Sequence, residues 1–163
     1  MESETELRKQ LLALLHGGNA HMGFNDAVAN FPIEAINTNP LNVPYTPWHL
    51  LEHLRLTQWD ILEFIRNPGY VSPKWPEGYW PSKQKQADRT EWEETIRKYK
   101  ADLADLEEIV MNPATNFTAD LPHAPGYNVL REIQLVSDHN AYHIGEFCIL
   151  RQVMGTWRER RGY

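Results

Sequence analysis

The sequence predicts an all-α fold: a four-helix bundle in which a long crossover-type connection joins the second and third helices. Four segments carry apolar residues at helical spacing, and stretches rich in proline and glycine separate them. No segment shows the alternating pattern of a convincing strand. Because 163 residues suit one hydrophobic core, we expect a single domain over residues 1–163.

The first predicted helix runs from about Thr5 to Phe31, and Pro32 gives a plausible stop. Its leucines at helical spacing are Leu7, Leu11, Leu14 and Leu15. Glycine weakens a helix interior, so we expect a bend or a break near the middle of this segment. The glycines concerned are Gly17, Gly18 and Gly23.

The second predicted helix has the clearest start. Thr46 suits the N-cap, and Pro47 suits the first helical position, where its missing N–H costs nothing. The helix continues to about Arg66, and Asn67-Pro68-Gly69 ends it. The segment 67–87 that follows is rich in proline and aromatic residues, which indicates an ordered long loop of the kind that often carries function.

The third and fourth helices are predicted over about 88–111 and 128–154, with a second loop over 114–126 between them. Asp88 and Glu91 resemble a capping box at the start of the third helix. Gly155 is a natural stop for the fourth helix.

Charge and cysteine usage exclude several classes of protein. The net charge is −6, and Glu159 interrupts the one basic cluster, at Arg158, Arg160 and Arg161, so we expect no nucleic-acid partner. The acidic N-terminus lacks the pattern of a signal peptide, and no apolar run approaches the roughly 20 residues of a membrane span. The single cysteine, Cys148, excludes an intramolecular disulfide, and a cytoplasmic location without membrane contact follows as the expectation.

Three histidines are the candidate metal ligands. His139 and His143 are four residues apart, so both imidazoles lie on one helix face and can reach one ion. They border the apolar stripe of the fourth helix, and His53 lies close to the apolar stripe of the second helix. Together His53, His139 and His143 would form a three-histidine site with open positions, the pattern of catalytic sites. The alternative is a pair of half-buried histidines without a metal.

Other residues have weaker signals. His49 lies further towards the polar face than His53 and is interpreted as an outer residue. His21 either lines the same cavity or sits at a helix bend, and Asp138 and Glu146 either orient an imidazole or are exposed charges. Packing is the expected role of two further residues of the fourth helix, Tyr142 and Cys148. Neither His16 nor His123 has a partner signal.

Several motifs resemble those of the DinB-like superfamily, and the resemblance covers about Leu7 to Trp157. The most specific motif is Asp138-His139-Asn140-Ala141-Tyr142-His143-Ile144-Gly145-Glu146 followed by Leu150-Arg151. The supporting motifs are Pro47-Trp48 before Glu52-His53-Leu54, then Asn19-Ala20-His21, and Gly155-Thr156-Trp157. The resemblance implies a four-helix bundle whose ligands are His53, His139 and His143, with zinc or nickel as the usual ion.

The same resemblance implies a small-molecule substrate and two function classes. Characterised relatives include S-transferases that use bacillithiol, mycothiol or glutathione, and a mycothiol-dependent maleylpyruvate isomerase. A metal-dependent thiol transferase with a low-molecular-weight thiol as co-substrate is therefore expected. A hydrolase is the other expected enzyme, because an ion at a three-histidine site would also lower the pKa of a bound water. The Trp75–Trp80 loop and Trp48 are expected to form a lid or an apolar pocket wall. The alternative is a non-enzymatic binding or stress-response module stabilised by metal. Relatives are often homodimers, and the amphipathic first and third helices are compatible with that state.

Overall fold

The computed structural model describes residues 2–157, and the basic cluster at Arg158, Arg160 and Arg161 lies outside them. The described chain is mostly helical, in agreement with the predicted all-α class. The helices are α1 (Glu2–His16), α2 (Phe24–Val28), α3 (Pro47–Arg66), α4 (Arg89–Met111) and α5 (Val129–Met154), with a 3₁₀ turn at Ile33–Ala35. Two short strands, β1 (Asp120–Leu121) and β2 (Ala124–Asn128), pair antiparallel. Within residues 2–157, no helix is long and apolar enough to cross a membrane.

Four long helices surround the buried apolar residues. Helix α3 packs against α4 and α5, and α1 packs against the same two helices. Leucine and isoleucine side chains fill the space between them, and several are completely removed from solvent. Burial of this kind supplies the main driving force for packing amphipathic helices together. Examples are Leu50, Leu51, Leu62, Leu106 and Ile133.

The predicted helix boundaries from α3 onward are confirmed. The Thr46 hydroxyl accepts a hydrogen bond from the His49 backbone N–H at 3.2 Å, directly before Pro47 begins α3. Asp88 and Glu91 form the predicted capping box at the start of α4. Gly155 ends α5 in the left-handed conformation, at φ +64°.

The first predicted helix is wrong in its length. Helix α1 ends at His16, because Gly17 and Gly18 adopt φ values of +64° and +75° that reverse the chain. The glycines therefore break the helix, one of the two predicted outcomes. The short helix α2 follows after the break, and its residues Phe24, Ala27 and Val28 are buried.

The small sheet is a second correction, because no strand was predicted. Strands β1 and β2 form a hairpin inside the predicted loop 114–126 and extend it to Asn128. Strand β1 has only two residues, and the five residues of β2 include Pro125 and Gly126, which indicate a turn and not a strand. The hairpin leads directly into α5, where Asn128 caps the helix by accepting from the Arg131 N–H.

A buried arginine fixes the C-terminal end of α5. Arg151 is only 1% exposed and donates hydrogen bonds to the backbone carbonyls of Ala27, Ala29 and Thr156, at 2.6, 2.9 and 3.0 Å. Its guanidinium also lies 3.8 Å from the centre of the Trp157 ring. One side chain thus joins α5, the α2 segment and the residues after Gly155.

We predict that Arg151→Met lowers the free energy of unfolding by about 2–4 kcal/mol, because it leaves three carbonyls without their donor. Urea denaturation followed by circular dichroism measures the loss. Arg97→Met is the matched control, since Arg97 pairs with Glu94 on the surface. An Arg151→Met protein with the same denaturation midpoint as the control would contradict this role.

Candidate metal centre

Helices α3 and α5 bring the three predicted histidines together. The Nε2 atom of His53 lies 3.2 Å from Nε2 of His139 and 3.2 Å from Nε2 of His143. The candidate ligand atoms of the three residues all lie within 4.8 Å of one another, so the group could hold one metal ion. His53 is 2% exposed, and the other two are partly buried.

The spacing of these nitrogen atoms fits a shared divalent ion. Two nitrogens bound tetrahedrally at about 2.0–2.1 Å from zinc would be about 3.3 Å apart. The observed 3.2 Å agrees with that separation. Lone pairs aimed at one point repel one another unless a proton or a cation lies between them. The arrangement is therefore suited to a cation.

Two of the imidazoles are oriented through their second nitrogen. His53 donates from Nδ1 to the backbone carbonyl of Tyr79 at 2.8 Å. His143 donates from Nδ1 to Glu146 Oε2 at 2.6 Å. A proton held at Nδ1 leaves the lone pair at Nε2, which is the atom that faces the centre.

Tyr45 extends the contact made by Glu146. Its hydroxyl donates to the other carboxylate oxygen, Oε1. Burial raises the pKa of Glu146, but the hydrogen bonds from His143 and Tyr45 outweigh that effect and lower it overall. Burial and the bond to Glu146 raise the pKa of Tyr45, so the phenol remains a donor. Glu146 is therefore an ionised acceptor held between two donors.

The loop 67–87 wraps over the same site. Trp80 stacks on the His53 ring with centroids 3.9 Å apart and planes 6° apart. The hydroxyls of Tyr70 and Tyr79 both donate to Asp60, each at 2.9 Å, which fastens the loop to α3. This places the Tyr79 carbonyl next to His53. The predicted aromatic wall is therefore formed by Trp80.

Burial keeps two of the imidazoles neutral. It lowers the pKa of His53 to about 4, and the neighbouring His143 acts in the same direction. Burial also lowers the pKa of His139 to about 3, with His143 and His53 adding to the effect. Neutral imidazole is the form that binds a metal.

His49 is not among the converging ligands, but its predicted position near the polar face is wrong. It is 5% exposed because the end of the loop 67–87 covers it. Its Nδ1 accepts from the Thr46 N–H at 3.3 Å, and its Nε2 donates to the Lys85 carbonyl at 2.9 Å. Both ring nitrogens are thereby occupied. Trp48 is likewise buried, with its indole N–H 3.3 Å from Thr95 Oγ1, and forms no wall of the site.

The other candidate residues of α5 differ in their burial and in their contacts with the site. Glu146 orients the His143 imidazole, which is one of the two roles predicted for it. Asp138 takes the other predicted role, that of an exposed charge. The packing role expected for Tyr142 is wrong, because the residue is 69% exposed. Its ring contacts the edge of the His143 ring. Cys148 is half-buried, with Sγ 3.6 Å from the sulfur of Met22, and burial raises the pKa of its thiol.

Three further histidines lie away from the converging nitrogens. His21 is exposed in the break between α1 and α2, and its Nδ1 lies 2.8 Å from the Met22 carbonyl. It therefore takes the helix-bend alternative. His16 pairs with Glu107 at 2.8 Å, and His123 lies 2.8 Å from the Phe64 carbonyl.

No family model matches the chain, and no curated protein or solved structure matches it either. The DinB-like resemblance therefore stays a prediction that rests on the motifs around His53, His139 and His143. The proposed function therefore rests on the contacts and distances of the three-histidine site.

We predict that the metal-free protein loses stability as the pH falls from about 6.5, the ordinary pKa of histidine. The pKa values of His53 and His139 are lowered to about 4 and about 3 in the folded state. Between those values and 6.5 the unfolded chain binds protons that the folded chain does not. This contribution to stability is therefore complete above pH 6.5 and is lost as the pH falls.

Urea denaturation of chelator-treated protein between pH 7.5 and 4.5 measures this dependence. Replacing the buried residue, His139→Asn, should flatten the dependence, whereas replacing the exposed His16→Asn should not. Equal slopes in the two variants would contradict the assignment.

Proposed function

We propose that this chain is a DinB-like four-helix-bundle protein that binds one divalent ion, zinc or nickel, through His53, His139 and His143. We further propose that the ion serves a thiol-dependent transfer or a hydrolysis. One observation carries the proposal: three imidazole Nε2 atoms, 3.2 Å apart in two of their pairs, converge between α3 and α5.

The donor set favours a catalytic ion over a structural one. Structural zinc sites close the coordination shell with four protein ligands, and catalytic sites keep a position open. Among the described residues, the group of candidate ligands consists of the three histidines. His53, His139 and His143 would hold the ion without adding a negative charge, and a bound divalent ion would supply a water or thiol with a lowered pKa as a nucleophile near neutral pH.

The chain's own residues have defined tasks around that site. Glu146 holds the Nδ1 proton of His143, and the Tyr79 carbonyl holds that of His53. Trp80 covers one face of the His53 ring and excludes water from it. These contacts keep the lone pairs aimed at the centre before any ion arrives, so little reorganisation is needed.

A mostly apolar groove of about 270 Å³ adjoins the site and supports a small-molecule substrate. Two of its walls are also neighbours of the ligands, because Tyr45 contacts Glu146 and Trp80 stacks on His53. A ligand in the groove would therefore sit next to the side chains that orient the site. The lining residues are Pro44, Tyr45, His49, Trp80, Pro81 and Lys83.

A non-enzymatic role is the second candidate, and the position of the ligands favours it. His53 belongs to α3, whereas His139 and His143 belong to α5, so one ion would cross-link two helices. Binding to the folded state alone would stabilise the protein, and the stabilisation would rise with the logarithm of the ion concentration above the Kd.

Elemental analysis of the purified protein tests the metal site. We expect about one zinc or nickel ion per chain, and loss of that ion in His53→Ala, His139→Ala and His143→Ala, because two imidazoles hold a divalent ion poorly. His49→Ala is the matched control, since His49 is a buried histidine of α3 with both nitrogens engaged elsewhere. Absence of metal after loading, or equal loss in the control, would overturn the assignment.

Once metal binding is established, an activity assay distinguishes the enzyme from the non-enzymatic binding module. The loaded protein is incubated with glutathione or bacillithiol and an aromatic electrophile, and separately with an activated ester. Turnover that disappears in His143→Ala supports an enzyme. Thermal stabilisation by zinc without turnover in any assay supports the binding module.

A further inference from the structure

Two buried amides form a hydrogen-bonded chain that runs from the Tyr99 carbonyl to Asn140, the neighbour of His139 on α5. Gln58 of α3 is completely buried and donates from Nε2 to the backbone carbonyl of Tyr99 at 2.7 Å. Asn140 of α5 is 4% exposed and donates from Nδ2 to Gln58 Oε1 at 2.9 Å.

The hydrogen bond from Gln58 to the Tyr99 carbonyl fixes the orientation of both amides. A backbone carbonyl only accepts, so Gln58 must turn its NH₂ group towards Tyr99 and its oxygen towards Asn140. Asn140 must then donate to that oxygen. Its own oxygen, Oδ1, is left as the free end of the chain.

Two complementary atoms at this end lack a partner. Asn140 Oδ1 and His139 Nδ1 are both buried, and neither has a hydrogen-bond partner within residues 2–157. Such orphans are rare inside proteins and costly. The Asn140 side chain raises the pKa of His139, against the larger lowering by burial, as expected for an acceptor near the ring. The two atoms belong to adjacent residues of α5 and are a complementary donor and acceptor, so pairing with one another would satisfy both.

We propose that Asn140, held by Gln58, is the positioning residue for His139: its Oδ1 accepts the Nδ1 proton and leaves the His139 lone pair on Nε2. Each of the three histidines then has its own acceptor at Nδ1. The acceptors are a loop carbonyl for His53, a carboxylate for His143 and an amide for His139. This inference rests on the proposed metal site, although its main test uses metal-free protein.

The position of the His139 proton tests the proposal directly. Neutral imidazole without a partner prefers its proton on Nε2, and in His139 that proton would point to His53 Nε2, 3.2 Å away. Two-bond ¹H–¹⁵N correlation spectra of chelator-treated, ¹⁵N-labelled protein at pH 8 distinguish the two forms. We expect the proton on Nδ1 in the unaltered protein and on Nε2 in Asn140→Leu.

Asn140→Asp is the variant expected to keep the His139 proton on Nδ1. A buried aspartic acid in its protonated form can donate to Gln58 and still accept from His139, so the proton should stay on Nδ1. Ser137→Ala is the control for loss of a buried polar group on α5, because Ser137 bonds only to the Ile133 carbonyl. Should Asn140→Leu fail to fold, Gln58→Met frees the Asn140 amide to turn and should populate both forms.

Zinc affinity gives a second readout through competition with a chromophoric chelator. We expect Asn140→Leu to bind zinc about 10–100-fold more weakly and Asn140→Asp to remain close to the unaltered protein. A His139 proton on Nε2 in the unaltered protein, or on Nδ1 in Asn140→Leu, would overturn the proposal. Failure of the unaltered protein to bind either zinc or nickel would instead overturn the proposed function, and the proton positions would still decide this inference.

Discussion

The candidate site depends on the repulsion between the Nε2 lone pairs of His53 and His143, whose Nδ1 atoms donate to the Tyr79 carbonyl and to Glu146. The Nε2 atoms of His53, His139 and His143 face one another between α3 and α5, with two separations of 3.2 Å. Burial lowers the pKa of His53 and of His139, so protons do not readily relieve the crowding near neutral pH. A divalent ion at the centre would convert this repulsion into three coordinate bonds.

The rest of the structure can be understood as the support that holds this arrangement. Helix packing sets the positions of the three Cα atoms, and the contacts at Nδ1 set the directions of the rings. The loop 67–87 is fastened to α3 through Asp60 and in return presents its Tyr79 carbonyl and its Trp80 ring to His53. On α5, Glu146 performs the same task for His143 from the next helical turn. Loss of contacts of this kind typically weakens metal binding about 10–100-fold.

Local sequence signals predicted the features that local chemistry determines. The caps at Thr46, Asp88 and Gly155 are side-chain or backbone effects within one turn, and each lies where it was expected. The spacing of His139 and His143 placed both rings on one face for the same reason. Helical geometry also brought Glu146 within reach of His143, although the sequence left its role open.

Features that depend on distant parts of the chain could not be predicted. Tyr45 reaches Glu146 across 101 positions of sequence, and Gln58 reaches Asn140 across 82. A helical wheel placed His49 towards the polar face, because the loop that covers it lies outside the helix. The Tyr79 acceptor is a backbone carbonyl, which carries no residue signature at all. The hairpin was missed because β1 has only two residues and β2 contains Pro125 and Gly126, which indicate a turn.

Zinc K-edge X-ray absorption of the loaded protein tests the central claim most directly, because it reports the atoms bound to the ion. The structure predicts nitrogen or oxygen neighbours at about 2.0–2.1 Å, with the outer-shell scattering of three imidazoles. That scattering should fall to two imidazoles or disappear in His139→Ala. A spectrum with a sulfur neighbour at about 2.3 Å, or with fewer than three imidazoles in the unaltered protein, would contradict the claim.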